Sequence, residues 1–201
     1  MVYNLEDCTM KKPSAQLTPL KPARIYQIKV TLKWSKPPIW RRLQVRGDTK
    51  LDKLHQILQI AMGWWGEHLH AFEAGGVAYG EPDPDFPSDL RQERNVRFDK
   101  IAQEGDTFRY EYDFGDSWVH EIMVEKVLDP EPGVRYPRCL AGKRACPPED
   151  CGGVPGYERL LDIVANPKDE EHAEIVAWLG EEFDPEAFDL DAVNEELRVW
   201  R

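Results

Sequence analysis

Residues 26–45 read YQIKVTLKWSKPPIWRRLQV. Tyr26, Ile28, Val30, Leu32 and Trp34 alternate with Gln27, Lys29, Thr31 and Lys33, the period of two that marks a strand with one buried face. Ser35-Lys36-Pro37-Pro38 interrupts the alternation, which resumes over residues 39–45. Two strands with a short Pro-containing link predict a hairpin. Thr49 then reads as a helix N-cap with Asp52 three residues on, and Leu51, Leu54, Leu58, Ala61 and Met62 recur at helical spacing. His68-Leu69-His70-Ala71-Phe72 alternates again and supplies a third strand. Strand, strand, helix, strand is the opening of a β-grasp-like arrangement.

Outward from this opening, residues 75–106 are rich in Gly, Pro and Asp and read as a long surface excursion. Regular structure returns where Phe108, Tyr110, Tyr112 and Phe114 alternate with Thr107, Arg109, Glu111 and Asp113; Gly115-Asp116 turns the chain and residues 118–127 return it. Residues 139–155 hold too many Gly and Pro for a helix or a strand. Three helices are expected beyond them, around residues 157–164, 173–179 and 191–199, with Asp184-Pro185 as an N-cap followed by Pro at the first helical position. Residues 1–23 are polar, contain three prolines and lack periodicity, so a flexible leader is expected there.

Composition narrows the function classes. Hydrophobic residues are 41% and charged residues 31% of 201, which suits one globular domain. No apolar run approaches the roughly 18 residues that cross a bilayer, and the N-terminal stretch lacks the apolar core of a secretory signal. A cytoplasmic protein is expected, with no membrane partner. In a reducing compartment Cys8, Cys139, Cys146 and Cys151 read as thiols or metal ligands. The net charge is −11, unevenly spread: residues 1–46 carry ten Lys or Arg against two acids, and the remainder 16 against 35. An acidic body disfavours nucleic acid. The basic first hairpin, with Lys33, Arg41 and Arg42 beside Trp34 and Trp40, is the one place where a strand of nucleic acid would find cations and stacking surfaces. The same lysines and arginines would equally guard an edge strand from aggregation.

Two motifs carry candidate chemistry, YEYDFGDSWVH at 110–120 and CLAGKRACPPEDCGG at 139–153. Asp113 and Asp116 bracket Phe-Gly and would project from one turn, as groups that bind a hard cation or move a proton do; Asp beside Gly is also ordinary turn chemistry. His68 and His70, two apart on a strand, would share a face. A pocket built from both motifs would include His68, His70, Asp113, Asp116, Trp118, His120, Glu149 and Asp150. Cys139, Cys146 and Cys151 have gaps unlike paired zinc knuckles, so a zinc site would need a fourth ligand such as His120, Asp150 or the 68–70 pair. A thiol activated by His68, His70 or His120 is a further chemistry open to these residues. The bland reading is a proline-stiffened loop whose cysteines are small buried hydrophobes. His55, on the apolar stripe of its helix, reads as a satisfied core histidine.

The stretches 26–45, 51–72 (LDKLHQILQIAMGWWGEHLHAF), 110–125 (YEYDFGDSWVHEIMVE), 139–157 (CLAGKRACPPEDCGGVPGY) and 183–197 (FDPEAFDLDAVNEEL) together resemble the plasmid pRiA4b ORF-3-like family. The resemblance implies a protein of plasmids and chromosomes of bacteria and archaea, some members being labelled passengers of insertion elements, even resolvase-like. It brings no established activity. Neither the Ser-and-Arg set of a serine recombinase nor the Arg/His set and late Tyr of a tyrosine recombinase is evident.

The fold expected is α+β, with a mostly antiparallel sheet, a β-grasp-like ββαβ start and a C-terminal helical cap. After the leader, residues 24–201 form a single domain, with the sheet core in 24–128 and the cysteine loop and helices in 129–201. The function expected is non-enzymatic binding or an accessory role, associated with a plasmid or mobile element. The alternative is a metal-dependent, hydrolase-like enzyme with a His/Asp/Cys site, for which zinc is the candidate cofactor.

Overall fold

In the computed structural model, which describes residues 22–82, 89–180 and 183–200, the quoted alternation becomes two antiparallel strands, β1 (Ile25–Leu32) and β2 (Trp40–Arg46). The expected leader lies almost wholly outside the described residues, as does Cys8. Helix α1 (Leu51–Met62) follows, then β3 (His70–Ala74), β4 (Val77–Gly80), β5 (Arg91–Gln92), β6 (Thr107–Tyr112), β7 (Trp118–Leu128) and β8 (Arg138–Lys143), and finally α2 (Gly153–Ala165), α3 (His172–Leu179) and α4 (Leu190–Val199). The eight strands form one sheet in the order β5-β4-β3-β6-β7-β1-β2-β8. Every pairing is antiparallel except β4 with β5. The fold is α+β.

The period of two sorts the sheet into a dry and a wet face. Ile28, Val30, Leu32, Leu43, Phe72, Phe108, Tyr110, Tyr112, Trp118 and Ile122 are buried on one side, in a core shared with Leu51, Leu54, Ile57, Leu58 and Ala61 of α1. The other side carries charges that pair across strands, Arg42 with Glu125 (2.7 Å) and Lys33 with Glu121 (3.1 Å). At the far edge, α4 is fastened to β8 by the Asn194 amide, which accepts from the Cys139 N–H (2.8 Å) and donates to the Cys139 carbonyl (3.0 Å).

Several local expectations differ from what the chain does. The element order ββαβ is present, but β3 does not join β1: β6 and β7 lie between them, and β1 pairs with β2 and β7. The long DFGDSW hairpin inserts into the middle of the sheet, which a local reading of the first 74 residues has no means to foresee. Helix α1 begins at Leu51 with Lys50, not Thr49, at its N-cap and no side-chain cap, and the Thr49 carbonyl accepts from the Phe98 N–H (2.8 Å). The described parts of the excursion at 75–106 are anchored: they hold β4 and β5, and Phe98 is fully buried with its ring edge-on to Tyr26 at 5.0 Å. Residues 138–143 do form a strand, since the open edge of β2 pairs with backbone groups whatever the side chains. Asp184 caps a turn by accepting from the Glu186 N–H (2.9 Å), and the last helix starts later, capped by Asp189 on the Ala192 N–H (2.9 Å).

Arg41 is the sharpest departure. It points into the dry face at 2% exposure. Its guanidinium donates to the carbonyls of Ala61 (2.7 Å), Trp40 (2.9 Å) and Lys143 (3.0 Å) and lies over the Phe188 ring at 4.4 Å. It ties β2 to α1, β8 and the C-terminal segment, and is not presented to a phosphate. A lysine keeps the charge but not the fork, and unpaired buried carbonyls cost about 1–3 kcal/mol each. Arg41→Lys is therefore expected to lower stability by about 2 kcal/mol or more, read as a lower urea midpoint at unchanged slope.

Candidate functional site

The turn after β6 is closed by Asp113. Its backbone is left-handed (φ 55), which Asp tolerates better than most residues. Its N–H donates to the Leu69 carbonyl (2.8 Å), its Oδ1 accepts from the Gly115 N–H (2.9 Å), and its carbonyl accepts from the Ser117 N–H (2.6 Å). The DFGDSW turn is thus fixed internally and also tethered to the segment holding His68.

The cysteine loop docks on this turn. Asp116 Oδ2 accepts from the Gly152 N–H (3.1 Å), and a Cβ on Gly153 (φ 68) would stand 2.3 Å from the Asp116 carbonyl oxygen. The Tyr112 hydroxyl donates to the Glu149 carboxylate, and the Trp64 indole N–H donates to the Pro147 carbonyl (2.9 Å). The two motifs are in direct contact, and Gly152-Gly153 is the joint.

Above the joint, His68 meets two carboxylates: Nδ1 is 3.9 Å from Asp113 Oδ2, and Nε2 is 3.5 Å from Asp150 Oδ1. Among the described residues, these three supply the group of His, Cys, Asp or Glu donor atoms lying within 4.8 Å of one another. Asp113 is 12% exposed, His68 33% and Asp150 74%, so the group sits at a mouth, neither buried nor flat.

Behind the mouth lies a cleft of about 690 Å³, lined by α1, the segment Gly66 to His70, Leu90, Glu93, Arg94 and Phe114. His70 does not share a face with His68, because His68 precedes β3 and only His70 belongs to it. The His70 ring stacks on His55 at 3.5 Å with parallel planes, and its Nε2 is 2.9 Å from Glu93 Oε2. His55 Nδ1 is 2.7 Å from the Tyr110 hydroxyl, which also accepts from Gln59 Nε2 (2.8 Å). Tyr110 and His55 Nδ1 share one hydrogen bond, whose direction depends on the His55 tautomer. Burial, with the neighbouring His70 adding to it, holds His55 neutral, its pKa lowered to about 3. His55 is the largely buried histidine expected of its helix, but only Nδ1 is hydrogen-bonded and the residue also lines the cleft.

His120 and Trp118 are placed elsewhere. Both are fully buried on the dry face, with His120 edge-on to Trp64 (5.3 Å) and beside Tyr110 (5.4 Å). Neither His120 ring nitrogen nor the Trp118 indole N–H has a hydrogen-bond partner. Burial lowers the His120 pKa to about 3.

The cysteines also part company. Cys139 is on β8 against Asn194, while Cys146 and Cys151 belong to the loop. All three are free thiols, and burial pushes each up, Cys151 to about 12. The tetrad Cys139, Cys146, Cys151 and His120 does not close to ligand spacing among the described residues. Of the hairpin cations, Arg42 and Lys33 are engaged by Glu125 and Glu121, and Arg41 is buried. Glu93, Gln59 and Tyr110 are members of the cleft system that sequence reasoning did not assign. Glu93 is 3% exposed within a stretch that reads as surface loop, and nothing local marks it.

Fold and cleft together define an α+β protein with one solvated sheet face and a polar cleft at the turn end of the central strands. A family model described as plasmid pRiA4b ORF-3-like protein matches residues 24–192, and the chain belongs to that family. The uncharacterised protein y4hQ of Sinorhizobium fredii is 36% identical over 176 residues, covering 86% of this chain and 90% of that protein. The crystal structure of MM3350, a protein of unknown function from Methanosarcina mazei, matches with a TM-score of 0.79 at 38% identity, covering 85% of this chain and 98% of that one. No helix among the described residues is long and apolar enough to cross a membrane.

Gly153→Ala combines a disfavoured φ with a clash against backbone, and should lower stability by at least about 2 kcal/mol. Gly105→Ala, at φ 90 with nothing within 4 Å of the new Cβ, should cost only the backbone strain, about 1 kcal/mol. Equal losses in urea unfolding would contradict the docked joint. A second expectation concerns pH. His55 and His120 stay neutral when folded, whereas the unfolded imidazoles take up protons below their ordinary 6.5. Stability is therefore lost as pH falls from 6.5 toward 3, by up to about 1.4 kcal/mol per pH unit per histidine. Urea midpoints for His120→Leu should fall less steeply than wild type between pH 7 and 5; parallel curves would refute the assignment for His120.

Proposed function

We propose that the protein works by binding, without covalent chemistry, and that its ligand is a small polar molecule with an apolar portion, held in the cleft. The observation that carries this reading is the stacked His55–His70 pair on the cleft wall. His55 uses Nδ1 on Tyr110 and His70 uses Nε2 on Glu93, which leaves His55 Nε2 and His70 Nδ1 for a ligand. A ligand carrying both an acceptor and a donor, such as an amide, satisfies both nitrogens. Leu69, Leu90 and Phe114 supply the apolar wall, and Leu69 and Phe114 are large hydrophobics left exposed at 67% and 49%.

The lining also supports binding over catalysis. No Ser, Thr, Cys or Tyr lines the cleft among the described residues, and the nearby thiols are held protonated by burial. The plasmid-derived description of the family supports an accessory role for such a binder on mobile DNA.

Saturation-transfer NMR with a library of small carboxamides and carboxylic acids tests the reading. Binders are expected for the wild type, with the signal lost in His70→Ala at unchanged circular dichroism. Absence of binders, or the same binders with the same strength in His70→Ala, would refute it.

A further inference from the structure

We propose that His68, Asp113 and Asp150 form a binding site for a divalent first-row transition-metal ion at the mouth of the cleft. The first argument is spacing. His68 Nδ1 lies 3.9 Å from Asp113 Oδ2 and Nε2 lies 3.5 Å from Asp150 Oδ1, too long for hydrogen bonds; an ion would take one of the two nitrogens, and one donor atom from each of the three side chains lies within 4.8 Å of the others. Nitrogen and oxygen donors at roughly 2.0–2.2 Å from one ion stand from about 3 Å apart at a right angle to about 4.4 Å apart when opposed. The three donors are therefore grouped close to the separations of common ligands, and a rotation of the exposed Asp150 carboxylate would close them on one ion.

The second argument is charge. Two carboxylates face one imidazole, and among the described residues neither Asp113 nor Asp150 is paired with a lysine or arginine, although the protein pairs many of its other acids. A dication would neutralise what His68 alone does not.

The third argument is how firmly the donors are held. Asp113 commits Oδ1 to the Gly115 N–H and leaves Oδ2 free. Its own N–H is bonded to Leu69, the neighbour of His68, so two donors are linked through the backbone. Asp150 is carried by the loop that Glu149, Gly152 and Gly153 fasten to Tyr112 and Asp116. The ring of Tyr112 backs His68 edge-on at 5.7 Å. Three segments far apart in sequence are thereby held around one point, with the exposed Asp150 side chain left to adjust.

The donor set also selects the metal. One imidazole with two carboxylates suits zinc, manganese or iron better than calcium or magnesium, which take oxygen ligands. Three protein donors leave positions for water or for a ligand reaching out of the cleft, which His68 also lines. The site shares no donor with the His55–His70 pair, so it stands or falls independently of the ligand reading.

Manganese is the discriminating probe, because thiolates prefer softer ions and the cysteines would confuse a zinc titration. The experiment titrates metal-stripped full chain with Mn²⁺ at pH 7.5, following free Mn²⁺ by electron paramagnetic resonance, and then displaces it with Zn²⁺. One equivalent is expected to bind, with affinity reduced about tenfold or more in His68→Ala and in Asp150→Asn. Asp150 is exposed, so Asp150→Asn tests the site without endangering the fold. A Cys146→Ala variant should bind Mn²⁺ as the wild type does. No saturable equivalent in the wild type, or unchanged affinity in both His68→Ala and Asp150→Asn, would overturn the assignment.

Discussion

The carbonyl of Asp116 stands where a side chain at position 153 would have to be, and its carboxylate holds the Gly152 N–H. This backbone-on-backbone approach joins a hairpin at the centre of the sheet to a loop more than 30 residues later. Only glycine at 153 permits it, both for its positive φ and for the missing Cβ. The position of Glu149, Asp150 and Cys151 follows from that joint, and with it the shape of the cleft mouth.

The same joint explains why the interior beneath it is polar and aromatic at once. Tyr110 and Tyr112 run along β6 from the core to the turn, their hydroxyls reaching His55 and Gln59 at one level and Glu149 at the next. Trp64 closes the level between, against Trp118, His120 and Tyr112, and fastens Pro147 of the loop with its indole N–H. Burial keeps His55 and His120 uncharged, so the acidic groups at the mouth are not neutralised from within. Charge accumulates at the rim, where water or a ligand can answer it, and the interior stays neutral.

Much of this was legible in the chain. The alternation of residues 26–32 and 107–112 defined strands with one dry face, although Trp34 and Phe114, expected to continue those faces, lie past the strand ends and are exposed; the i, i+3, i+4 stripe from Leu51 defined α1, because each element faces the core on one side only. The acids bracketing Phe114-Gly115 and the Gly152-Gly153 pair stood out as irregular chemistry, and they do meet. What the chain did not disclose is long-range placement. That the hairpin of Trp118 inserts between β3 and β1 is set by competition among strand edges, not by local pattern. The alternation with Ile39, Leu43 and Val45 puts Arg41 on the inward face, but nothing local supplies all the partners of a buried guanidinium: beside the Trp40 carbonyl, those of Ala61 and Lys143 come from distant segments. Glu93 likewise has no local signal, since its partner His70 arrives only through the β3–β4–β5 edge. His68 and His70 part because the strand begins two residues later than their alternation suggests.

The account depends on the hairpin and the cysteine loop acting as one unit, and a double-mutant cycle on Asp116 and Gly153 measures that directly. If Gly153→Ala already undocks the loop, the bond from Gly152 to the Asp116 carboxylate is gone, and adding Asp116→Ala should cost nothing more. The expected coupling is about 1 kcal/mol, the loss that Asp116→Ala causes alone. Strictly additive losses in urea unfolding would mean that the two motifs hold their places independently, and would contradict a mouth built by their contact.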